Sequence, residues 1–150
     1  MRTKLSNPNP KEAIGSAKLP LHLCSPVAMA HWSLAQYAGL IKYGAWNWRA
    51  AGVRASTYIA AMLRHIEAYA SGEECDPVDG TRHLGNIMAC AAIMLEAKAM
   101  GLLTDDRGID INFRPEWDEA QALMGKLVQQ YEEYMPGGPK APHHYTRDNA

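Results

Sequence analysis

The feature that most limits the fold is an apolar stripe with helical spacing between residues 59 and 70. Its members recur every three or four positions: Ile59, Met62, Leu63, Ile66, Tyr69 and Ala70. Side chains three and four positions apart share one face of an α-helix. The stripe therefore predicts an amphipathic helix over residues 57–74. Ser56 stands just before it and is a residue type that caps helix starts.

Three further helices are predicted from their end signals. Ser25 and Pro26 open a helix that ends at Gly44, because Ser caps helices, Pro suits the first turn and Gly stops them. Asp79 or Thr81 caps another helix that runs to about residue 100. A Pro in the first turn opens the last helix at residue 115, and no segment has the pattern of a strand.

Four helices with short connections predict an all-α fold built as a four-helix bundle. Residues 1–25 are rich in Pro and Asn and predict an extended arm, and residues 136–150 are rich in Pro and Gly and predict a mobile tail. The helical domain is predicted over residues 26–135.

Composition and charge exclude several classes of partner. The net charge of −1 gives no general attraction to nucleic acid. The longest apolar run, residues 87–95, is too short to span a membrane, and the N-terminus has no signal-peptide pattern. Three cysteines at irregular spacing favour reduced thiols over disulfides. These features predict a soluble cytoplasmic protein.

Polar side chains are concentrated in RHIEAYASGEECDPVDGTRHLGN, residues 64–86. If this segment is a helical hairpin with a loop of about six residues, two polar faces point into one groove. One face carries His65, Tyr69 and Glu73, the other carries Asp79, His83 and Asn86, and Asp76 lies on the loop.

This cluster has the ligand types of a metal site. The candidate metal ligands are His65, Glu73, Asp76, Asp79 and His83. Carboxylates suit Mg²⁺ and imidazoles suit Mn²⁺, and a Glu or His in the groove can act as a general base on water. The alternative is that these residues are solvated helix caps. A zinc site from Cys75, His83 and Cys90 fits no structural zinc spacing.

A second unusual stretch is KYGAWNWR, residues 42–49. Trp46 and Trp48 can stack on a base, and Lys42 and Arg49 can bind phosphate. Arg64 is a further candidate phosphate ligand. The alternative is that the two Trp side chains fasten this loop to the core.

The segments NPKEAIGSAKLPLHL, KYGAWNWRAAGVRAS and GLLTDDR, together with the polar cluster, resemble a phage and prophage family. This is the dATP/dGTP diphosphohydrolase family of MazZ-like proteins, which is distantly similar to the all-α MazG-type nucleotide pyrophosphohydrolases. The resemblance covers residues 9–107. It implies a MazG-like helical bundle, assembly as a homo-oligomer, and Mg²⁺ or Mn²⁺ held between two helices.

The resemblance also implies hydrolysis of a deoxypurine nucleoside triphosphate to the monophosphate and pyrophosphate. On this reading Glu73 and His83 are catalytic. The substrate-binding candidates are Lys42, Trp46, Trp48, Arg49, Arg64 and Asn86. The usual MazG pattern of ExxE and ExxD on two helices is replaced here by Arg64-x-x-Glu67 and His83-x-x-Asn86. A non-catalytic helical module that binds a nucleotide or a protein is the alternative.

Overall fold

The computed structural model describes residues 9–108, 111–143 and 145–148, and the remaining residues of the predicted arm and tail lie outside it. The chain divides into two compact units, residues 1–107 and 108–150. The helices are α1 Pro10–Gly15, α2 Pro26–Tyr43, α3 Asn47–Ala51, α4 Ala55–Ala70, α5 His83–Ala99 and α6 Arg114–Gln130. The two strands are β1 Val53–Arg54 and β2 Leu103–Thr104.

The predicted all-α fold is confirmed, and the long helices lie close to their predicted positions. Ser25 caps α2 through a hydrogen bond from the Ala28 N–H to its Oγ (3.3 Å), and Gly44 ends α2 with a φ of 86°. Within the predicted arm, residues 10–15 form the short helix α1, because Asn9 accepts a hydrogen bond from the Lys11 N–H. The arm is therefore not extended throughout.

The first unit is built around α5, which packs against both α4 and α2. The helices α4 and α5 are antiparallel, since His65 late in α4 contacts His83 at the start of α5, and Tyr58 early in α4 lies near Cys90. Small residues allow close packing. A Cβ placed on Gly85 would lie 2.7 Å from the backbone oxygen of His31 in α2.

We expect Gly85→Ala to lower the free energy of unfolding by about 1–3 kcal/mol, because the added methyl group overpacks the α2–α5 contact. Gly39→Ala is the matched control, since a Cβ at that helical glycine meets no atom within 4 Å. It should instead raise the free energy by about 0.5–1 kcal/mol through better helix propensity. Urea denaturation followed by circular dichroism measures both, and equal effects of the two variants would contradict the close packing.

A short parallel strand pair fixes the start of α4. Val53 pairs with Leu103, which brings Asp106 to the N-terminus of α4. There Asp106 accepts hydrogen bonds from the backbone N–H (2.8 Å) and the hydroxyl (2.6 Å) of Ser56. The prediction that Ser56 is the N-cap is wrong: α4 begins at Ala55, and the carboxylate that satisfies its first turn comes from a distant loop.

The predicted hairpin exists, but its connection has twelve residues rather than six. We call residues 71–82 the interhelical loop, since α4 ends at Ala70 and α5 begins at His83. Glu73 and Asp79 therefore lie on this loop and not on the predicted helix faces. Backbone hydrogen bonds shape the loop, from the Asp76 N–H to the Thr81 oxygen (2.8 Å) and from the Gly80 N–H to the Asp76 oxygen (2.8 Å).

The second unit contains α6, which Pro115 opens as predicted. After it, Lys140 donates its backbone N–H to the Glu133 oxygen (2.8 Å) and forms an ion pair with the Glu133 carboxylate (2.8 Å), so the first part of the predicted tail is hydrogen-bonded. None of the helices in the described ranges is long and apolar enough to cross a membrane.

Candidate active site

A cavity of about 520 Å³ lies in the first unit, among α2, α4, α5 and the interhelical loop. It gathers seven of the predicted site residues: Lys42, Trp48, Arg64, His65, Asp76, Asp79 and Asn86. Their positions in the chain span 45 residues, so only the folded hairpin and its contact with α2 bring them together. Glu73 and His83 lie behind His65, and Trp46 and Arg49 lie in a neighbouring groove.

Asp79 is the centre of a hydrogen-bonded network on one wall of the cavity. Its carboxylate pairs with the Lys42 ammonium (2.5 Å) and accepts the hydroxyl (2.5 Å) and the backbone N–H (2.9 Å) of Thr81. Thr81 in turn hydrogen-bonds Asn86 on α5. The Lys42 ion pair and the Thr81 hydrogen bonds hold the pKa of Asp79 at about 2, and Asp79 raises the pKa of Lys42.

Removing the Lys42 charge is expected to raise the pKa of Asp79 part of the way from about 2 toward 3.8, while Thr81 still donates to the carboxylate. A depressed pKa stabilises the folded state above about pH 4, and this stability is lost as the pH falls toward 2. In Lys42→Met, the loss of stability across this window should be shallower. Carboxyl ¹³C NMR titration of Asp79 measures the shift. Lys98→Met is the control, and an equal pKa in both variants would contradict the pairing.

Three side chains form a line from the protein surface to the cavity. The Glu73 carboxylate lies 2.8 Å from Nε2 of His83, and Nδ1 of His83 lies 2.9 Å from Nδ1 of His65. His83 is buried, with 3% of its surface exposed, whereas Glu73 is half exposed. Burial, followed by the nearby His83 ring, lowers the pKa of His65, which favours the neutral ring at neutral pH.

Arg64 differs from the other cations near the cavity. Lys42 is paired with Asp79 and Arg49 with Glu96, but no ion pair or hydrogen bond of the Arg64 guanidinium occurs among the residues that the structure describes. It lines the cavity beside His65 and is exposed to solvent. An exposed guanidinium without a protein partner is available to an anionic ligand.

The two predicted tryptophans form a separate groove of about 770 Å³ between α2, α3 and α5. Trp48 lines both the groove and the cavity, whereas Trp46 lines only the groove. The Arg49 guanidinium lies 3.8 Å from the centre of the Trp46 ring. The Glu96 carboxylate accepts hydrogen bonds from Trp48 Nε1 and from Arg49, which anchor α3 to α5.

Glu96 was missed at the level of sequence. Its signal was available, because it is the one carboxylate in α5 and follows a long apolar run. The predicted alternative that the Trp loop is fastened to the core also has support, since Trp48 is partly buried and hydrogen-bonded to Glu96. Trp46 is half exposed and has a left-handed backbone conformation, with a φ of 59°.

Comparison with known protein families shows which family the chain belongs to. The family model described as dATP/dGTP diphosphohydrolase, N-terminal, matches residues 8–107, two thirds of the chain. The chain belongs to this family. The match ends at residue 107, where the first compact unit ends, so the cavity and the groove both lie inside the diphosphohydrolase domain. Neither the curated proteins nor the solved structures contain a match to the chain.

The donor atoms of this diphosphohydrolase domain fit Mg²⁺ in part. Asp76 and Asp79 present two carboxylates to the cavity, and Mg²⁺ commonly takes one or two carboxylates and completes its shell with water and substrate phosphates. The five predicted ligands do not converge: across the described ranges, no three His, Cys, Asp or Glu side chains are grouped as a metal site. Glu73 and His83 hydrogen-bond each other instead. Cys75 and Cys90 are free thiols.

Proposed function

We propose that this protein hydrolyses dATP or dGTP to the deoxynucleoside monophosphate and pyrophosphate in a reaction that depends on Mg²⁺ or Mn²⁺. The observation that carries the proposal is that the 520 Å³ cavity is lined by both a cationic side chain and carboxylates. Arg64 offers a guanidinium without an ion-pair partner in the described part of the chain, and Asp76 and Asp79 offer carboxylates in the same space. A triphosphate bound with a divalent cation needs both.

Each side chain has a defined task in this proposal. Arg64 binds the phosphate oxygens, and Asn86 can donate a further hydrogen bond from its amide. Asp76 and Asp79 would hold the cation, which supplies positive charge to the phosphates when bound. Lys42 keeps Asp79 ionised and in place. Positioning and electrostatic stabilisation account for most of the catalysis in phosphoryl transfer.

The purine has a place beside the cavity. Trp48 separates the charged cavity from the apolar groove and can stack on a base whose phosphates lie on the other side. Trp46 and Arg49 line the groove and are the next candidates for contact with the base or sugar. Trp48→Ala should raise KM.

The experiment that tests the proposal incubates the protein with each of the eight common ribo- and deoxynucleoside triphosphates, first with Mg²⁺ and then with Mn²⁺. Nucleotide products are resolved by chromatography, and pyrophosphate is assayed separately. We expect a deoxypurine monophosphate and pyrophosphate in equal amounts. Release of orthophosphate, or turnover that persists in excess EDTA, would contradict the proposal.

A second candidate is a module that binds a nucleotide without cleaving it. It is favoured by the lack of a grouped set of three metal ligands in the described ranges. Calorimetric binding of dGTP without product formation would support this candidate. It would leave the roles of Arg64 and Trp48 in binding intact.

We also propose that the protein assembles as a homo-oligomer, as the resemblance implied. Apolar side chains on α6 are exposed: Trp117, Leu123, Met124, Leu127 and Val128. So are several on α2: Trp32, Leu34, Tyr37, Leu40 and Ile41. Exposed apolar surface of this extent marks protein contacts. Light scattering should give a multiple of the single-chain mass, and a single-chain mass at micromolar concentration would contradict assembly.

The proposed location is the cytoplasm, which is the host cytoplasm if a phage encodes the protein, because deoxynucleoside triphosphates are found there. Three free cysteines agree with a reducing compartment. No nucleic-acid partner is proposed, since the net charge is −1.

A further inference from the structure

In the line from Glu73 through His83 to His65, the donor and the acceptor of each hydrogen bond can be assigned. An ionised carboxylate only accepts hydrogen bonds, so the 2.8 Å contact requires the proton of His83 to be on Nε2. A neutral imidazole carries one proton. Neutral His83 therefore has an unprotonated Nδ1, which can only accept.

The same reasoning fixes the second ring. Two ring nitrogens 2.9 Å apart need one donor and one acceptor, so with both rings neutral Nδ1 of His65 donates its proton to Nδ1 of His83. The other nitrogen of neutral His65, Nε2, then carries a free lone pair. His65 lines the cavity, whereas His83 is 97% buried and has no nitrogen left for a ligand.

We propose that His65 is the general base of the reaction and that His83 and Glu73 are positioning residues that fix its tautomer and orientation. This inference rests on the proposed function. It gives Glu73 and His83 a role different from the direct catalytic one that the sequence predicted, because neither ring nitrogen of His83 is free to reach water. The arrangement resembles the one in which a carboxylate orients a catalytic imidazole through a hydrogen bond, except that the buried His83 ring lies between Glu73 and His65.

The chemical step balances without a further reactant. The oxygen of a water molecule forms a bond to the α-phosphorus, and one proton of that water moves to Nε2 of His65. The bond between the α-phosphorus and the bridging oxygen breaks, and that oxygen keeps the electron pair as part of pyrophosphate. His65 then returns the proton to the leaving pyrophosphate or to solvent. The ring can accept the proton without giving up its Nδ1–H bond to His83.

The first test reads the tautomer directly. Long-range ¹H–¹⁵N correlation NMR at pH 7.5 distinguishes protonated from unprotonated ring nitrogens in the full-length protein without substrate. We expect His65 to be protonated on Nδ1 and His83 on Nε2. In Glu73→Ala, His65 should become a mixture of both tautomers, while Glu74→Ala, a matched surface change, should leave the wild-type spectrum. A wild-type His65 protonated on Nε2, or a doubly protonated His83, would overturn the assignment.

The second test measures turnover of dATP and dGTP. His65→Asn, whose amide can still donate to His83, should lower kcat by about 100-fold or more with little change in KM. Glu73→Ala should lower kcat by about 10–100-fold, and Glu74→Ala should not change it. Glu73→Gln keeps an acceptor oxygen and should fall between Glu73→Ala and wild type.

The two tests separate the inference from the function on which it rests. If the wild-type protein is active and Glu73→Ala has the same kcat as Glu74→Ala, the positioning role alone is overturned. If His65→Asn keeps the wild-type kcat, the role of His65 as the general base is overturned. Absence of wild-type turnover would overturn the proposed function and the base role together, whereas the tautomers would still be read by NMR.

Discussion

Replacing Arg64 with Ala is expected to lower kcat/KM for dATP and dGTP by about 100-fold, or roughly 3 kcal/mol. Arg64 is the cavity cation without an ion pair in the described part of the protein, so its charge is available to the phosphates rather than to a carboxylate. A charge-assisted hydrogen bond to phosphate is among the stronger polar contacts in proteins. Steady-state kinetics with saturating Mg²⁺ measures the loss.

Two further variants separate the charge of Arg64 from its shape. Arg64→Lys keeps a positive charge but not the two-pronged geometry, so it should recover part of the activity. Arg82→Ala is the matched control, because Arg82 pairs with Glu74 and does not line the cavity. If Arg64→Ala and Arg82→Ala have equal kcat/KM, the phosphates do not bind at Arg64.

The helices were predictable from sequence because their signals are local. A Ser–Pro start, a Gly stop and a stripe of period 3.6 fix α2 and most of α4, and the structure places them within a few residues of the prediction. The first turn of α4 was not predictable, since its stabilising carboxylate, Asp106, arrives from fifty residues away through the β1–β2 pair. Local sequence does not contain that contact.

Sequence could predict that the polar side chains of residues 64–86 lie near one another, but not how they are arranged. The clustering of polar residues in one short segment indicated which side chains meet. Their order depended on where α4 ends: because it stops at Ala70, Glu73 turns back onto His83 instead of continuing a helical face. The pairing of Lys42 with Asp79 likewise depends on α2 packing beside the hairpin, which no spacing within residues 64–86 reveals.

Replacing Asp76 with Asn is expected to lower activity by at least about 10–100-fold at low Mg²⁺ concentration. Asp76 lines the cavity, and its Oδ1 accepts a hydrogen bond from the Val78 N–H (2.9 Å). The Asn side chain keeps an oxygen for that bond, so the interhelical loop should retain its shape while the cavity loses a negative charge. Asp79 is a poorer choice for this test, because its replacement also removes the contacts to Lys42 and Thr81.

The dependence on cation concentration separates a metal ligand from a residue that only shapes the loop. If Asp76 binds the cation, the Mg²⁺ concentration for half-maximal activity should rise in Asp76→Asn, and excess Mg²⁺ should restore part of kcat. A loop defect would lower activity equally at every Mg²⁺ concentration. Asp105→Asn provides the control, because Asp105 pairs with Arg107 and does not line the cavity. An unchanged Mg²⁺ dependence in Asp76→Asn would contradict a cation bound at this carboxylate and would leave Asp79 as the remaining carboxylate ligand of the cavity.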